Sequence, residues 1–345
     1  MKYVVFVLLV LGIGIIGGIL VFGERNQTIT VPDVTSETTV PSATSPTFLE
    51  ASASSSSSNT TGTTSTVAST TTTTPTSTTV KITAPSALSV RLSDLTPYQG
   101  ETVIIHISGN PRNPKVLFDT KNVPVFLYQD ELRALIPIGA HESVGTHEVR
   151  ATADDRPDYS RSIEVKSGKF PVIDLGIPEK FGTTTPAQLV QNLSKENADL
   201  NAIVALITPE VFFTRSFGLP LADNTHLGSV FGEIRKTGDQ TISHLGVDFG
   251  GAEGSKVAAM NDGIVEKAES TTLYGNTVVI DHGEGIFSMY LHLKTILTTK
   301  GSKVTRGEVI GTLGQTGYST GPHLHLSVKV NGVSVDPIKF VGAFK

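Results

Sequence analysis

The 345-residue sequence contains no cysteine, so neither a disulfide nor a thiolate-ligated zinc or iron–sulfur site can form. Any metal in this chain must be held by histidine or oxygen donors. A basic excess is also missing: Lys+Arg total 27 against Asp+Glu 32, a formal charge of −5 with a pI near 6.0. Nucleic acid is therefore not an expected partner. Aromatic residues make up only 6% and charged residues 17%, yet mean hydropathy is slightly positive at +0.06. Such a value arises when strongly apolar and strongly polar segments are averaged, so the chain must be read piecewise. At roughly 150 residues per domain, its length allows about two folded domains.

Residues 3–22 form an uncharged apolar run interrupted only by glycine. About 20 residues at 1.5 Å rise cross a hydrocarbon core of about 30 Å. A cleaved signal peptide is the competing reading. Its apolar region normally runs about 7–15 residues to a small-x-small site, of which Ile19-Leu20-Val21-Phe22-Gly23 is a poor example. Residues 1–23 are accordingly expected to be a transmembrane anchor. Lys2 on one side and the opposed pair Glu24 and Arg25 on the other give only a weak orientation bias. Residues 24–83, with Ser54 to Ser58 and Thr70 to Thr74, cannot bury enough apolar area to fold and read as a disordered spacer. The expected localisation is a single-pass cell-membrane protein with its folded part outside the cytoplasm.

Over residues 84–167, short apolar or alternating runs recur about every ten residues: 88–92, 103–107, 123–128, 132–138, 147–151 and 162–165. Turn signals such as Gln99-Gly100 and Gly109-Asn110-Pro111 separate them. This spacing predicts an antiparallel β-sandwich resembling immunoglobulin-like bacterial surface domains, acting as a spacer or binding module. His106, His141 and His147 are scattered and read as structural. In residues 168–215, Leu189, Val190, Leu193, Leu200, Ile203 and Val204 recur at helical spacing. Thr184 or Thr185 can cap before Pro186, predicting a short helical connector.

Residues 216–345 are glycine-dense, with short alternating runs that predict an antiparallel β-sheet domain, so the whole is mainly β. The run Gly311-Thr-Leu-Gly314-Gln-Thr-Gly317 is not followed by a helix-opening pattern, which excludes a dinucleotide loop. Three histidine-bearing fragments stand out: His244-Leu-Gly-Val-Asp248, Tyr290-Leu-His292-Leu and Gly321-Pro-His323-Leu-His325. Imidazole and carboxylate are usual zinc ligands, and three of them with one open position make a catalytic site. On a strand, His323 and His325 share a face and can address one site.

Together with Phe217-Gly-Leu-Pro-Leu221, Val230-Phe-Gly232, Gly254-Ser-Lys-Val-Ala-Ala259, Asp262-Gly-Ile-Val265, Tyr274-Gly-Asn276 and Ile280-Asp-His-Gly283, these fragments resemble the lysostaphin-like, or LytM-type, zinc metallopeptidases. Members of that family cleave peptide bonds in peptidoglycan. The resemblance covers about a third of the chain, in the family's order. It implies the family's duplicated hybrid motif fold, with one zinc per chain bound by His244, Asp248 and His325. It also implies His292 and His323 as catalytic histidines that hold water and stabilise the oxyanion. The implied partners are a peptidoglycan peptide substrate and, through the N-terminal helix, the cytoplasmic membrane. No H-E-x-x-H is present, so no glutamate is assigned as base, and His292 and His323 are the candidates. His226 and His282 read as structural, and Arg235 stands one residue away from where the family often has a basic pair. A non-catalytic regulator of other wall hydrolases and a carrier module are the other classes weighed. Relatives that regulate usually lack zinc residues, and the hairpin at 301–311 has no evident carrier lysine. Some relatives keep the groove covered by an upstream segment, and residues 169–223 could do so here.

Overall fold

The protein is described from a computed structural model covering residues 88–175, 182, 184–221 and 226–344. The expected anchor and Ser/Thr-rich spacer lie outside the described residues. Among the described residues, no helix is long and apolar enough to cross a membrane.

The first eight strands are β1 (Ser89–Leu92), β2 (Thr102–Ser108), β3 (Lys115–Phe118), β4 (Lys121–Val123), β5 (Val125–Tyr128), β6 (Glu131–Pro137), β7 (Gly145–Ala153) and β8 (Arg156–Val165). They form two antiparallel four-stranded sheets, ordered β1-β2-β6-β5 and β4-β3-β7-β8. Val103, Ile105, Ala134 and Ile136 of one sheet share a core with Val116, Phe118, Val149 and Ile163 of the other. The six sequence runs fall on strands of these sheets, but none covers β3, whose four residues sit between Pro114 and a tight turn at Asp119 (φ 53°), and the run 123–128 joins the end of β4 to β5, which belong to different sheets.

A parallel partner strand, β9 (Val172–Asp174), and helix α1 (Pro186–Val204) follow. Thr185 caps α1 in a reciprocal box with Gln188, and Pro186 opens its first turn. The C-terminal unit contains β10 (His226–Ser229), β11 (Ile234–Thr237), β12 (Gln240–Ser243), β13 (Val247–Gly250), β14 (Lys256–Ala258), β15 (Gly263–Thr271) and β16 (Gly275–Asp281). It continues through β17 (Ile286–Leu293), β18 (Thr295–Ile296), β19 (Lys303–Val304), β20 (Val309–Thr312), β21 (His323–Val330), β22 (Val333–Val335) and helix α2 (Pro337–Ala343). Its main sheet has the order β10-β13-β21-β17-β16-β15-β19, with β22 added beside β21. Every residue of β17 is buried because both faces of this sheet are covered. One face holds the large core around Tyr290, Leu324 and Leu326, while Leu200 and Val204 of α1 lie on Val279, Phe287, Met289 and Leu291 of the other.

The sandwich is joined to the C-terminal unit through a common core. Its outer-face residues Ile104, Phe126, Tyr128 and Leu135 belong to the same cluster as Phe213, Phe217, Phe340 and Phe344. That is why 102–105 is a continuous buried run rather than an alternating one. Asn331 Nδ2 donates to Leu135 O at 3.0 Å, and Gln129 Nε2 donates to Thr214 O at 3.1 Å across the same junction.

Candidate metal centre

Strands β13 and β21 pair antiparallel, with Asp248 opposite His325 and Gly250 opposite His323. Val247, Phe249, Leu324 and Leu326 enter the core, so the period-2 alternation turns Asp248, His323 and His325 to the other face. His244 arrives from the turn after β12, where Gly246 allows close approach. A Cβ at Gly246 would stand 2.5 Å from both His325 Nε2 and Leu326 O.

His292 reaches the same place by an irregularity. The pairing Asn276↔Leu293 and Val278↔Tyr290 spends one residue more on β17 than on β16, which is a β-bulge. Within it His292 takes the left-handed conformation, φ 61°, uncommon for a residue with a side chain and concentrated at functional sites. The bulge switches the phase of the strand: Leu291 packs beneath α1, whereas Leu293 returns to the large core. His292 is left beside the other histidines, its ring 4.9 Å from that of His323 and 6.2 Å from that of His325.

The three converging donor atoms form a nearly equilateral triangle. His244 Nε2 lies 3.0 Å from Asp248 Oδ1 and 2.9 Å from His325 Nδ1, and His325 Nδ1 lies 2.9 Å from Asp248 Oδ1. Among the described residues, His244, Asp248 and His325 are the one group of His, Asp or Glu that could hold a metal ion. Tetrahedral zinc with bonds of about 2.0–2.1 Å separates its donors by about 3.3 Å, so these side chains fit zinc with a small expansion. His244 Nδ1 donates to Val230 O at 2.9 Å, which fixes the tautomer that leaves Nε2 free to ligate.

His292 Nδ1 donates to Thr316 O at 2.8 Å, and His323 Nδ1 donates to Gly321 O at 2.8 Å. With Nδ1 as the donor, Nε2 of each ring points the other way, toward the site. Burial first, then the neighbouring His323 and His325, push the His292 pKa down to about 3, so the ring is neutral at pH 7. Burial likewise lowers His325 to about 4. Burial would raise the Asp248 carboxyl, but hydrogen bonds to His244 and His325 outweigh it and hold the carboxylate well below its usual range.

Arg235 completes the setting: Nη2 donates to Asp248 Oδ2 at 2.7 Å and Nε donates to Glu233 Oε1 at 2.9 Å. It therefore touches a member of the triangle, a placement that its sequence position did not reveal. A groove of about 310 Å³ opens over the site, with Ile173, His226, Tyr318 and Pro322 in its walls. A second cavity of about 110 Å³, with Leu175, Leu189 and Leu193 of the connector in its lining, adjoins His244 and His292. The connector thus flanks the site. His226 is an exposed groove residue, whereas His282 is buried elsewhere, with Nδ1 donating to Asp262 O at 2.7 Å.

Residues 242–337 match the model of Peptidase family M23. The crystal structure of a putative peptidase M23 from Pseudomonas aeruginosa is similar with a TM-score of 0.54 and 26% identity, covering 72% of this chain and 96% of that one. That share exceeds the C-terminal unit, so the likeness extends upstream of it. The peptidoglycan DD-endopeptidase ShyA of Vibrio cholerae is 45% identical over 96 residues, 28% of this chain and 22% of its own length. The DD-carboxypeptidase/endopeptidase Mpg of Neisseria meningitidis is 41% identical over 95 residues, 28% of this chain and 22% of its own. The chain thus spans about a fifth of the length of these curated relatives. A β-sheet unit with a His/Asp/His cluster and these similarities define a metallopeptidase-type domain. The chain carries, at residues 242–337, a domain of Peptidase family M23, the lysostaphin-like or LytM-type family.

Proposed function

We propose that the chain is a membrane-anchored zinc endopeptidase that hydrolyses peptide bonds in peptidoglycan stems or cross-bridges on the outer side of the cytoplasmic membrane. The observation that carries this reading is the triangle of His244 Nε2, Asp248 Oδ1 and His325 Nδ1 at 2.9–3.0 Å, flanked by two further histidines with free Nε2 atoms. Similarity to the peptidoglycan DD-endopeptidase of Vibrio cholerae supports the substrate class.

His244, Asp248 and His325 would hold the ion. Zinc at such a centre supplies Lewis-acid polarisation of a carbonyl and acidification of water. The groove takes an extended peptide and lays its scissile carbonyl beside the triangle. His292, neutral and locked as the Nδ1–H tautomer, offers Nε2 to take a proton from the attacking water. His323, half-buried and hydrogen-bonded through Nδ1 to Gly321 O, stands across from it, with Nε2 3.8 Å from Asp248 Oδ1. His323 Nε2 can accept from the water and so help to hold it, while His292, once it has taken the proton, presents Nε2–H as a donor to the oxyanion. The resulting amine leaves with the proton, so no covalent enzyme intermediate is needed.

The test is zinc content together with release of new amino groups from purified peptidoglycan by the full chain, beside His325→Ala. About one zinc per chain, with cleavage lost in the variant, is the expected result, and mass spectrometry of the fragments identifies the bond. A folded chain that takes up no zinc, or a zinc-loaded chain that releases nothing from any peptidoglycan type, overturns the proposal.

A further inference from the structure

Helix α1 lies upstream of the matched family residues, and its buried stripe contains an anomaly. Stepping from Leu189 to Leu193 at helical spacing leads next to Glu196 and Asn197 before the stripe resumes at Leu200 and Val204. Asn197 is buried and Glu196 half-buried, where an amphipathic helix ordinarily places apolar side chains. Buried polar groups need partners, and both residues find them in one turn of the C-terminal unit. Glu196 Oε1 accepts from Leu273 N–H at 2.8 Å and Oε2 from Tyr274 N–H at 3.1 Å, while Asn197 Oδ1 accepts from the Tyr274 hydroxyl.

That turn is the support of His292. Tyr274 O accepts from His292 N–H at 3.0 Å, inside the bulge that gives this residue its left-handed backbone. Leu273 O accepts from Tyr318 N–H at 2.6 Å, which ties the turn to the loop whose Thr316 O accepts from His292 Nδ1. The two segments meet with no room to spare: a Cβ on Gly317 would lie 2.4 Å from Gly275 N and from Leu273 O. Backbone and ring of His292 are thus both fixed by peptide groups that the turn at 273–274 holds. A carboxylate accepting from two consecutive amides is a charge-assisted clamp, stronger than neutral bonds.

We propose that Glu196 is a positioning residue for the reaction, acting through the Leu273–Tyr274 turn to hold His292 in its bulged, left-handed conformation beside the metal triangle. The proposal rests on the peptidase reading for its catalytic consequence, but not for its structural one. Displacement of a catalytic group by about 1 Å costs on the order of a hundredfold in rate. Glu196 touches neither the triangle nor the groove, so substrate and zinc affinities should be spared.

The test compares Glu196→Ala and Glu196→Gln with wild type as zinc-loaded full chains. In Glu196→Ala, kcat for peptidoglycan-peptide cleavage should fall about tenfold to a hundredfold with KM within about twofold and zinc still about one per chain. Glu196→Gln, which keeps one acceptor oxygen, should recover part of the loss. Amide hydrogen exchange supplies the reading independent of activity: Leu273, Tyr274 and His292 should exchange at least about tenfold faster in Glu196→Ala, while Val328 at the sheet centre is unchanged. Unchanged exchange at these three amides overturns the proposal, even if the wild type cleaves nothing and the peptidase reading falls. Loss of kcat accompanied by proportional loss of zinc also overturns it, as does a kcat within twofold of wild type. If Glu196→Ala does not fold, the Gln variant gives the same readings at smaller amplitude.

Discussion

Arg235 Nη2 donates to Asp248 Oδ2 at 2.7 Å, the carboxylate oxygen opposite the one that His244 and His325 approach. The guanidinium therefore assigns the two oxygens different tasks, leaving Oδ1 to the His244 and His325 nitrogens. A partner of this kind orients a ligand and tunes its basicity. Arg235→Met should weaken zinc affinity by about 10–100-fold while leaving the chain folded. Competition with a chelator of known affinity reads the change directly.

Removal of a triangle member is expected to be more severe than removal of its support. Asp248→Asn and His325→Ala should each leave well under about 0.1 zinc per chain after dialysis, with cleavage down by about a thousandfold or more. His292→Ala, in contrast, should keep its zinc and lose about a hundredfold to ten-thousandfold in kcat. Elemental analysis alongside cleavage assays separates the two patterns.

Gly246 stands where a side chain would strike the site. An alanine there would put its Cβ 2.5 Å from His325 Nε2 and from Leu326 O, the latter a backbone atom that cannot swing aside. Gly246→Ala should destabilise the fold by about 1–3 kcal/mol and reduce zinc uptake. Urea unfolding with and without zinc gives both numbers.

His282, away from the metal centre, sets a pH dependence. Burial lowers its pKa to about 4 in the folded chain, against an ordinary 6.5. As pH falls, the unfolded chain takes up this proton first, so the stability contribution is complete above about 6.5 and is lost between there and about 4. At about 1.4 kcal/mol per pH unit the loss approaches about 3 kcal/mol. His282→Gln should flatten the curve of unfolding free energy against pH across that window, measured with chelator present so that metal release does not contribute. A slope equal to wild type would refute the assignment.

Much of the site could be read from the chain because its residues are densely marked. The alternation around His323 and His325 already places both on one face, and the structure pairs that strand with the one carrying Asp248. The position of His292 beside them was not legible, since a bulge is a property of the register between β16 and β17 rather than of either segment alone. Arg235 was hidden for a related reason: its carboxylate partner is 13 residues away and meets it only through the β11–β12 hairpin. Glu196 and Asn197 did leave a signal, two polar residues at the midpoint of a helical apolar stripe. The apolar run Val103-Ile104-Ile105 carried another, since continuous apolar residues in a strand mean cover on both faces.

The shared core between sandwich and C-terminal unit bears on how this molecule could be re-engineered. For transfer of the domain into another protein, the obvious cassette borders would be the family match at 242–337. A cassette cut there would discard Phe213, Phe217, Phe340 and Phe344 and the sandwich residues Tyr128 and Leu135 that pack with them. It would also leave behind the helix that braces the Leu273–Tyr274 turn. The portable part is therefore about 2.7 times as long, running from Leu88 through Phe344 just past α2, and a fusion joined upstream of Leu88 would carry it whole.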